Sequence, residues 1–218
     1  MPDVPAETQA AGPAPASVRA QILSTEHWSL LATRSLAWSE SFSRASWFVT
    51  VVSAAMVALA LVAQSTEFGV GFRIFALLVI PLLVVIGVAT VIRLVQLNGE
   101  DVELVIGMNR LRRGYLDIAP ELEEYFVTGH REDVAGIMRT YGTRRTRIPA
   151  TQYLSSIALL VSVIVAVLVG ALAGLIGDAL GTELAVSVVI GVVVGVAALA
   201  AVVLLVVRHV RQTWGRRT

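Results

Sequence analysis

The sequence contains no cysteine and no lysine. Without cysteine there is no disulfide, no thiolate metal site and no cysteine nucleophile. All 17 basic residues are arginines, which together with many alanines and valines indicates a high-GC bacterial genome. The formal net charge is only +1, so the chain lacks the positive field that attracts nucleic acid, and we expect no nucleic-acid partner.

Charge is also scarce. Charged residues make up 15% of the 218 residues, whereas about a quarter is usual in a soluble domain. Four stretches contain no charged residue: 45–66, 74–92, 148–177 and 184–207. A helix of about 20 apolar residues crosses the bilayer core, and helices and closed barrels alone satisfy their backbone groups there. The stretch "AVSVVIGVVVGVAALAAVVLLVV" has no polar face, which excludes a helix of a soluble core.

The sequence therefore predicts an all-α protein with four transmembrane helices. The expected spans are about 46–65, 73–97, 152–177 and 183–207, forming transmembrane hairpins over 45–97 and 152–207. Of the arginines, 16 fall on one side of these spans and Arg73 alone on the other. Because cytoplasmic flanks are enriched in arginine, we expect both termini in the cytoplasm, a bacterial plasma-membrane location and a basic cytoplasmic tail over 208–218.

The segment before the first span divides into two parts. Residues 1–21 are rich in proline and alanine and lack an apolar core, which predicts a disordered tail and no cleaved signal peptide. Residues 22–44 predict an amphipathic helix on the inner leaflet. Its apolar stripe consists of Trp28, Leu31, Ser35, Trp38 and Phe42. The four tryptophans, expected to be membrane-interface anchors rather than a ligand site, are Trp28, Trp38, Trp47 and Trp214.

Residues 98–151 predict a helical cytoplasmic insertion between spans two and three. An apolar stripe with helical spacing indicates that the second span continues as one long helix; it consists of Leu104, Met108, Leu111 and Tyr115. Pro120 suits the start of a further helix, Gly129 its end, and Gly142 the end of a third. Another surface is expected to bury this apolar stripe. The candidates are the N-terminal helix, another copy of the chain and an unknown cytoplasmic protein partner.

Small residues four apart mark the last two spans. They are Gly170 and Gly174 in the third, and Gly191 and Gly195 in the fourth. Such residues let helix backbones approach closely. The short connection favours a contact within the hairpin over a contact between two chains.

No chemistry-bearing motif emerges. The three histidines are isolated, whereas a zinc site needs three or four converging ligands. There is no nucleophile elbow and no phosphate-binding loop. No ionisable residue lies near a span centre, which argues against an ion-coupled carrier. We therefore expect no enzymatic activity, no metal and no cofactor, whereas a passive homo-oligomeric pore stays open.

Two stretches carry a resemblance: "STEHWSLLATRSLAWSESFSRAS" and "RLVQLNGEDVELVIGMNRLRRGYLDIAPELEEYFVTG". They resemble parts of uncharacterised four-span integral membrane proteins of high-GC bacteria, over roughly residues 22–130. The resemblance implies a bacterial inner-membrane protein and brings no activity and no functional residue. The first hypothesis is a non-enzymatic scaffold or regulatory protein that presents its cytoplasmic helical segment to a partner in the bilayer's vicinity. The alternative is a homo-oligomeric passive channel.

Overall fold

All regular structure is helical in the computed structural model, which describes residues 14–142 and 157–214, the last six by backbone alone. The elements are α1 (Ala16–Thr66), α2 (Val70–Leu116), a 3-10 helix (Pro120–Tyr125), α3 (Val134–Thr140), α4 (Ile157–Ala179) and α5 (Leu184–Trp214). Four of these, α1, α2, α4 and α5, are long and apolar enough to cross a membrane. The predicted all-α class with four membrane-length helices is confirmed.

The start of α1 differs from the prediction. The helix begins at Ala16, not at residue 22, and it continues without a break into the first span. No glycine or proline occurs between Ala16 and Thr66, so nothing in the sequence ends the helix. Residues 22–44 therefore belong to the same helix as the first span. The other part of the predicted tail, 1–13, lies outside the described residues.

Both long helices exceed what a bilayer needs. α1 has 51 residues and α2 has 47. At about 1.5 Å per residue each is roughly 70–76 Å long, more than twice the hydrocarbon core of about 30 Å. As the apolar spacing predicts, α2 runs on to Leu116 as one helix. Large parts of both helices consequently lie beyond their apolar segments.

The chain divides into two units, which we describe separately. The span unit comprises Arg34–Glu103 and Arg147–Thr218. The inter-span unit comprises Met1–Thr33 and Leu104–Thr146. α1 and α2 each contribute to both.

The core of the span unit lies where α1, α2 and α4 meet. Phe48 on α1 and Val161 on α4 are fully buried. A Cβ added to Gly87 of α2 would overlap Val165 and lie 2.8 Å from the Phe48 ring. Glycine at position 87 therefore lets side chains from two other helices reach the α2 backbone.

The predicted glycines lie on the facing surfaces of α4 and α5 within one chain. A Cβ at Gly170 would lie 2.6 Å from the Gly191 carbonyl oxygen, and a Cβ at Gly195 would lie 3.0 Å from the Ala166 carbonyl oxygen. One turn further along, a Cβ at Gly174 would lie 3.2 Å from the Ser187 carbonyl oxygen. The two backbones are thus in direct contact along the hairpin, as the spacing of small residues permits.

A glycine cap closes this hairpin. Gly181 has φ +84°, a conformation that favours glycine. Its N–H donates to the Asp178 carbonyl (3.0 Å), and the Thr182 N–H donates to the Gly177 carbonyl (3.2 Å). This is the Schellman pattern, which satisfies the last carbonyls of α4 before α5 begins.

Two glycine-to-alanine substitutions distinguish the effect of close helix packing on stability from the effect of helix propensity. Gly170→Ala should destabilise the protein by about 1–3 kcal/mol, because the new methyl meets a backbone oxygen that cannot move aside. Gly99→Ala on α2 is the matched control, since a Cβ there has no atom within 4 Å. It should stabilise by roughly 0.5–1 kcal/mol through helix propensity. Thermal unfolding in one detergent would measure both, and equal shifts would contradict the described hairpin contact.

Candidate functional site

The end of α2 forms the centre of the inter-span unit. Val105 and Met108 of α2 are buried, as are Ile137 and Met138 of α3. Asn109 of α2 is also fully buried, although it is polar. α3 and the residues before it therefore cover one side of the α2 extension.

The N-terminal part of α1 covers another side of α2. A Cβ at Gly107 would lie 3.1 Å from a Leu30 methyl, and one at Gly114 would lie 3.1 Å from a Leu23 methyl. The His27 ring lies 6.0 Å from the Tyr115 ring. The sequence left three candidates for the surface that buries the α2 stripe. One of them, the chain's own N-terminal helix, contacts this part of α2.

The predicted partner or oligomer surface is consequently not free. Met108 is 3% exposed, and Leu104, Leu111 and Tyr115 are half-buried. Tyr115 also stacks on Phe126, with 6.5 Å between the ring centroids. The spacing correctly marks an apolar face, but the residues that cover it come from within the same unit.

The face of α1 that packs against α2 is not the apolar stripe that the sequence predicts for the inner leaflet. The predicted apolar stripe is exposed: Trp28 69%, Leu31 40%, Trp38 49% and Phe42 53%, with Ser35 exposed as well. The side of α1 that turns toward α2 carries Leu23, His27 and Leu30 in the inter-span unit, and Arg34 and Ala37 in the span unit. The face of α1 that packs on α2 is thus separate from the stripe predicted for the inner leaflet, and it includes Arg34, which pairs with Asp101 of α2.

The tryptophans expected at the membrane interface behave differently from one another. Trp28 and Trp47 are 69% and 60% exposed, so their rings are available to a lipid interface. Trp38 is half-exposed, but its indole Nε1 donates to Asp101 at 3.0 Å. The side chain of Trp214 lies outside the described residues.

Within the span unit, Arg34 and Asp101 form an ion pair between α1 and α2. Arg34 Nε donates to Asp101 Oδ1 at 2.6 Å, and the side chains are 20% and 11% exposed. Trp38 donates to the same oxygen. A carboxylate so far removed from water needs these donors, since an unpaired buried charge is costly.

A second, more exposed pair lies nearer the apolar segments. Arg93 of α2 donates to both carboxylate oxygens of Glu40, at 3.0 and 3.1 Å, and also to Glu100 at 2.9 Å. Arg44 donates to Glu40 at 2.7 Å. Hydrogen bonds from Arg93 and then Arg44 lower the pKa of Glu40 to about 2, so it stays ionised at neutral pH.

A buried polar hub holds α2, α3 and the intervening loop together. Asn109 Nδ2 donates to the Arg131 carbonyl at 2.8 Å. Asn109 Oδ1 accepts from the Thr140 hydroxyl (2.7 Å) and from Arg112 Nη1 (2.9 Å). The Thr140 oxygen in turn accepts from the Gly129 N–H at 3.2 Å. One amide side chain thus joins three segments, as a satisfied buried network does.

Arg112 extends the hub toward α1. It is 7% exposed and donates from Nη1 to the Gly129 carbonyl at 3.4 Å. Burial, and secondarily the charge of Arg112, lower the pKa of His27. His27 is therefore favoured in its neutral form in the folded unit, and acidification through the ordinary histidine range reduces the stability of this packing.

Two glycines allow the loop to cross α3. A Cβ at Gly129 would overlap the Gly136 carbonyl oxygen, and one at Gly136 would overlap the Arg131 carbonyl oxygen. Asp133 caps α3 by accepting from the Gly136 N–H at 2.8 Å. The helix predicted between Arg131 and Gly142 is therefore present as Val134–Thr140, whereas the one predicted from Pro120 is a short 3-10 helix.

The 3-10 helix carries an exposed surface that the hub does not use. Leu122 is 43%, Tyr125 71% and Val127 87% exposed. Glu121, Glu123 and Glu124 are exposed between them. We call Glu121–Val127 the acidic ridge. No residue of the 3-10 helix is buried, so its position depends on its neighbours, including Phe126 on Tyr115.

Among the described residues, no group of three or more histidine, aspartate or glutamate side chains could hold a metal ion. Asn109, Arg112 and Asp101, which organise the two units, were not identified from the sequence. A signal was present for all three: each is a polar residue inside a long helix whose other inward positions are apolar, and Asn109 and Arg112 are one turn apart.

Removing the hub amide should destabilise the inter-span unit. Asn109→Ala removes the side-chain donor to the Arg131 carbonyl, and an unpaired buried group costs about 1–3 kcal/mol. Arg112 and Thr140 lose one acceptor each and keep the Gly129 and Gly136 carbonyls. Hydrogen exchange of residues 126–142 should accelerate strongly. Asn98→Ala, at an exposed position of the same helix, is the control and should leave exchange unchanged. Unchanged protection in Asn109→Ala would show that the hub is not needed.

Comparison with known proteins adds no assignment to this geometry: no family model, no curated protein and no solved structure matches the chain.

Proposed function

We propose that this chain is a non-enzymatic scaffold or regulatory protein of a bacterial plasma membrane. Its four spans anchor it in the lipid bilayer, both termini lie in the cytoplasm, and the inter-span unit is presented there to a protein partner. The observation that carries the proposal is the acidic ridge, where exposed apolar side chains lie beside exposed carboxylates.

The polar residues of the inter-span unit support a structural role rather than a catalytic one. Asn109 and Arg112 are buried and hydrogen-bonded within the unit. His27 of α1 is half-buried beside the Tyr115 ring, and burial followed by the charge of Arg112 lowers its pKa. A catalytic group needs access to its substrate, and the buried Asn109 and Arg112 side chains offer little.

Surface exposure favours the scaffold over the pore. Assembly of extended α2 helices into a pore would use Met108 and Tyr115, which are already covered within the unit. The acidic ridge, in contrast, is fully available. Exposed apolar surface rimmed by polar residues is typical of protein-interaction sites.

The distribution of arginine supports the orientation. Arg34, Arg44 and Arg93 lie at one end of the apolar runs of α1 and α2. The opposite end of the span unit carries Arg73, which pairs with Asp178 at 3.3 Å. Because cytoplasmic flanks are enriched in arginine, this imbalance supports an orientation with the inter-span unit inside.

Cysteine scanning tests this orientation directly, because the chain has no cysteine of its own. Val127→Cys (87% exposed) should react with a membrane-impermeant maleimide only in inverted vesicles. Leu180→Cys (80% exposed), in the turn between α4 and α5, should react only in intact cells. The two variants are each other's controls, and a reversed pattern would overturn the proposed topology.

Photo-crosslinking tests the scaffold function. A photoreactive amino acid in place of Tyr125 should give a discrete protein adduct in native membranes, because this side chain is 71% exposed on the acidic ridge. The same amino acid in place of Val188 on α5, a 55% exposed residue of a span, should give lipid adducts only. If no Tyr125-specific protein adduct forms and the purified protein conducts ions in liposomes, the scaffold function is refuted and the channel function is supported.

A further inference from the structure

Resting on the proposed scaffold function, the geometry of the acidic ridge points to the chemistry of the partner. We propose that the ridge binds a basic amphipathic helix, with an apolar stripe that covers Leu122, Tyr125 and Val127 and flanking arginines or lysines that meet the carboxylates.

The 3-10 geometry arranges the ridge in rows. In a 3-10 helix, side chains three residues apart eclipse one another. Leu122 and Tyr125 therefore form one apolar row, and Glu121 and Glu124 form the adjacent acidic row. Glu123 lies on the third side of the same short helix. The apolar row is thus bordered by carboxylates on both sides.

The ridge is held in place before any partner arrives. The Leu122 N–H donates to the Ala119 carbonyl (3.2 Å), and the Phe126 N–H donates to the Glu123 carbonyl (3.1 Å). Pro120 occupies the first turn and fixes its backbone. Phe126 stacks on Tyr115 of α2. A surface fixed in this way loses little conformational entropy on binding.

The carboxylates of the ridge differ from two neighbouring carboxylates in their ion pairing. Glu132 pairs with Arg110 at 2.7 Å, and Asp133 pairs with Arg131 at 2.6 Å. Glu123 lies 3.8 Å from His130, an ion pair only when that histidine is protonated. Glu121 and Glu124 have no ion-pair partner among the described residues.

The negative charge of the ridge determines which kind of molecule can bind there. Two copies joined through the same ridge would place like charges opposite one another, which is unfavourable. An anionic bilayer surface or a nucleic acid would be repelled for the same reason. A basic helix with apolar residues at one face satisfies both the carboxylates and the exposed apolar row.

The test uses the full chain in zwitterionic nanodiscs and defined peptide probes. The probe is a fluorescent amphipathic helical peptide with a leucine stripe flanked by lysine and arginine, compared with one in which glutamate replaces every basic residue. Fluorescence anisotropy at low salt should show binding of the basic peptide only. Binding should weaken as salt is raised, because exposed charges are screened.

Paired variants connect the binding to the ridge. Glu121→Gln with Glu124→Gln, and separately Tyr125→Ser with Val127→Ser, should each weaken binding by roughly tenfold or more. Glu26→Gln, an exposed carboxylate of α1 in the same unit, should leave binding unchanged. Because all five side chains are exposed, thermal unfolding should be the same in every variant.

Two results would overturn the proposal: equal binding of the basic and acidic peptides, or wild-type binding by both ridge variants. If Tyr125 still gives a protein adduct in native membranes, the scaffold function stands and only the basic partner is refuted. If neither the adduct nor the charge-selective peptide binding is seen, the scaffold function and the basic partner are both refuted.

Discussion

The pairing of α1 with α2 beyond their apolar segments is the constraint on which the other contacts depend. In the span unit, Arg34 meets Asp101 and Glu40 meets Arg93 across the two helices. In the inter-span unit, Leu30 lies over Gly107 and Leu23 over Gly114. Charge-assisted bonds fix the register of the two helices in the span unit, and apolar contacts at glycines bring their backbones close in the inter-span unit. Without this pairing, helices of such length would extend from the membrane without lateral support.

The inter-span unit illustrates how polar groups specify an arrangement that apolar packing alone leaves open. An apolar face on the α2 extension could be covered in many ways, since hydrophobic contacts are non-directional. Asn109 accepts from Thr140 and Arg112 and donates to the Arg131 carbonyl, which admits one placement of α3 and its preceding loop. The contribution of each bond is modest, but leaving any one unmade in a buried site is costly. The hub therefore contributes specificity more than net stability.

The α4–α5 hairpin reaches close packing by a different route. It has no hub, and Gly170 and Gly191 bring one backbone against the other instead. In lipid the hydrophobic effect does not drive apolar helices together, so direct van der Waals contact between backbones takes its place. The apolar hairpin is thus stabilised by close backbone packing, whereas the inter-span unit is stabilised by hydrogen bonds between buried polar groups. In the acidic ridge of the inter-span unit, exposed apolar side chains alternate with exposed carboxylates.

The sequence by itself determined the all-α class, the four membrane-length helices, the continuation of α2 and the glycine faces of the last two, because length, charge-free runs and small-residue spacing follow from the bilayer's thickness and apolarity. It did not determine which face of α1 packs. Trp28 and Phe42 belong to the stripe predicted for the inner leaflet and are exposed, whereas His27 and Arg34, which are not part of that stripe, are turned toward α2. Nor did it reveal that Asn109 is a hub or that Leu122 and Tyr125 form an exposed row. Only the tertiary structure decided these points, because the free energy of burying a polar group depends on a partner that is distant in the chain.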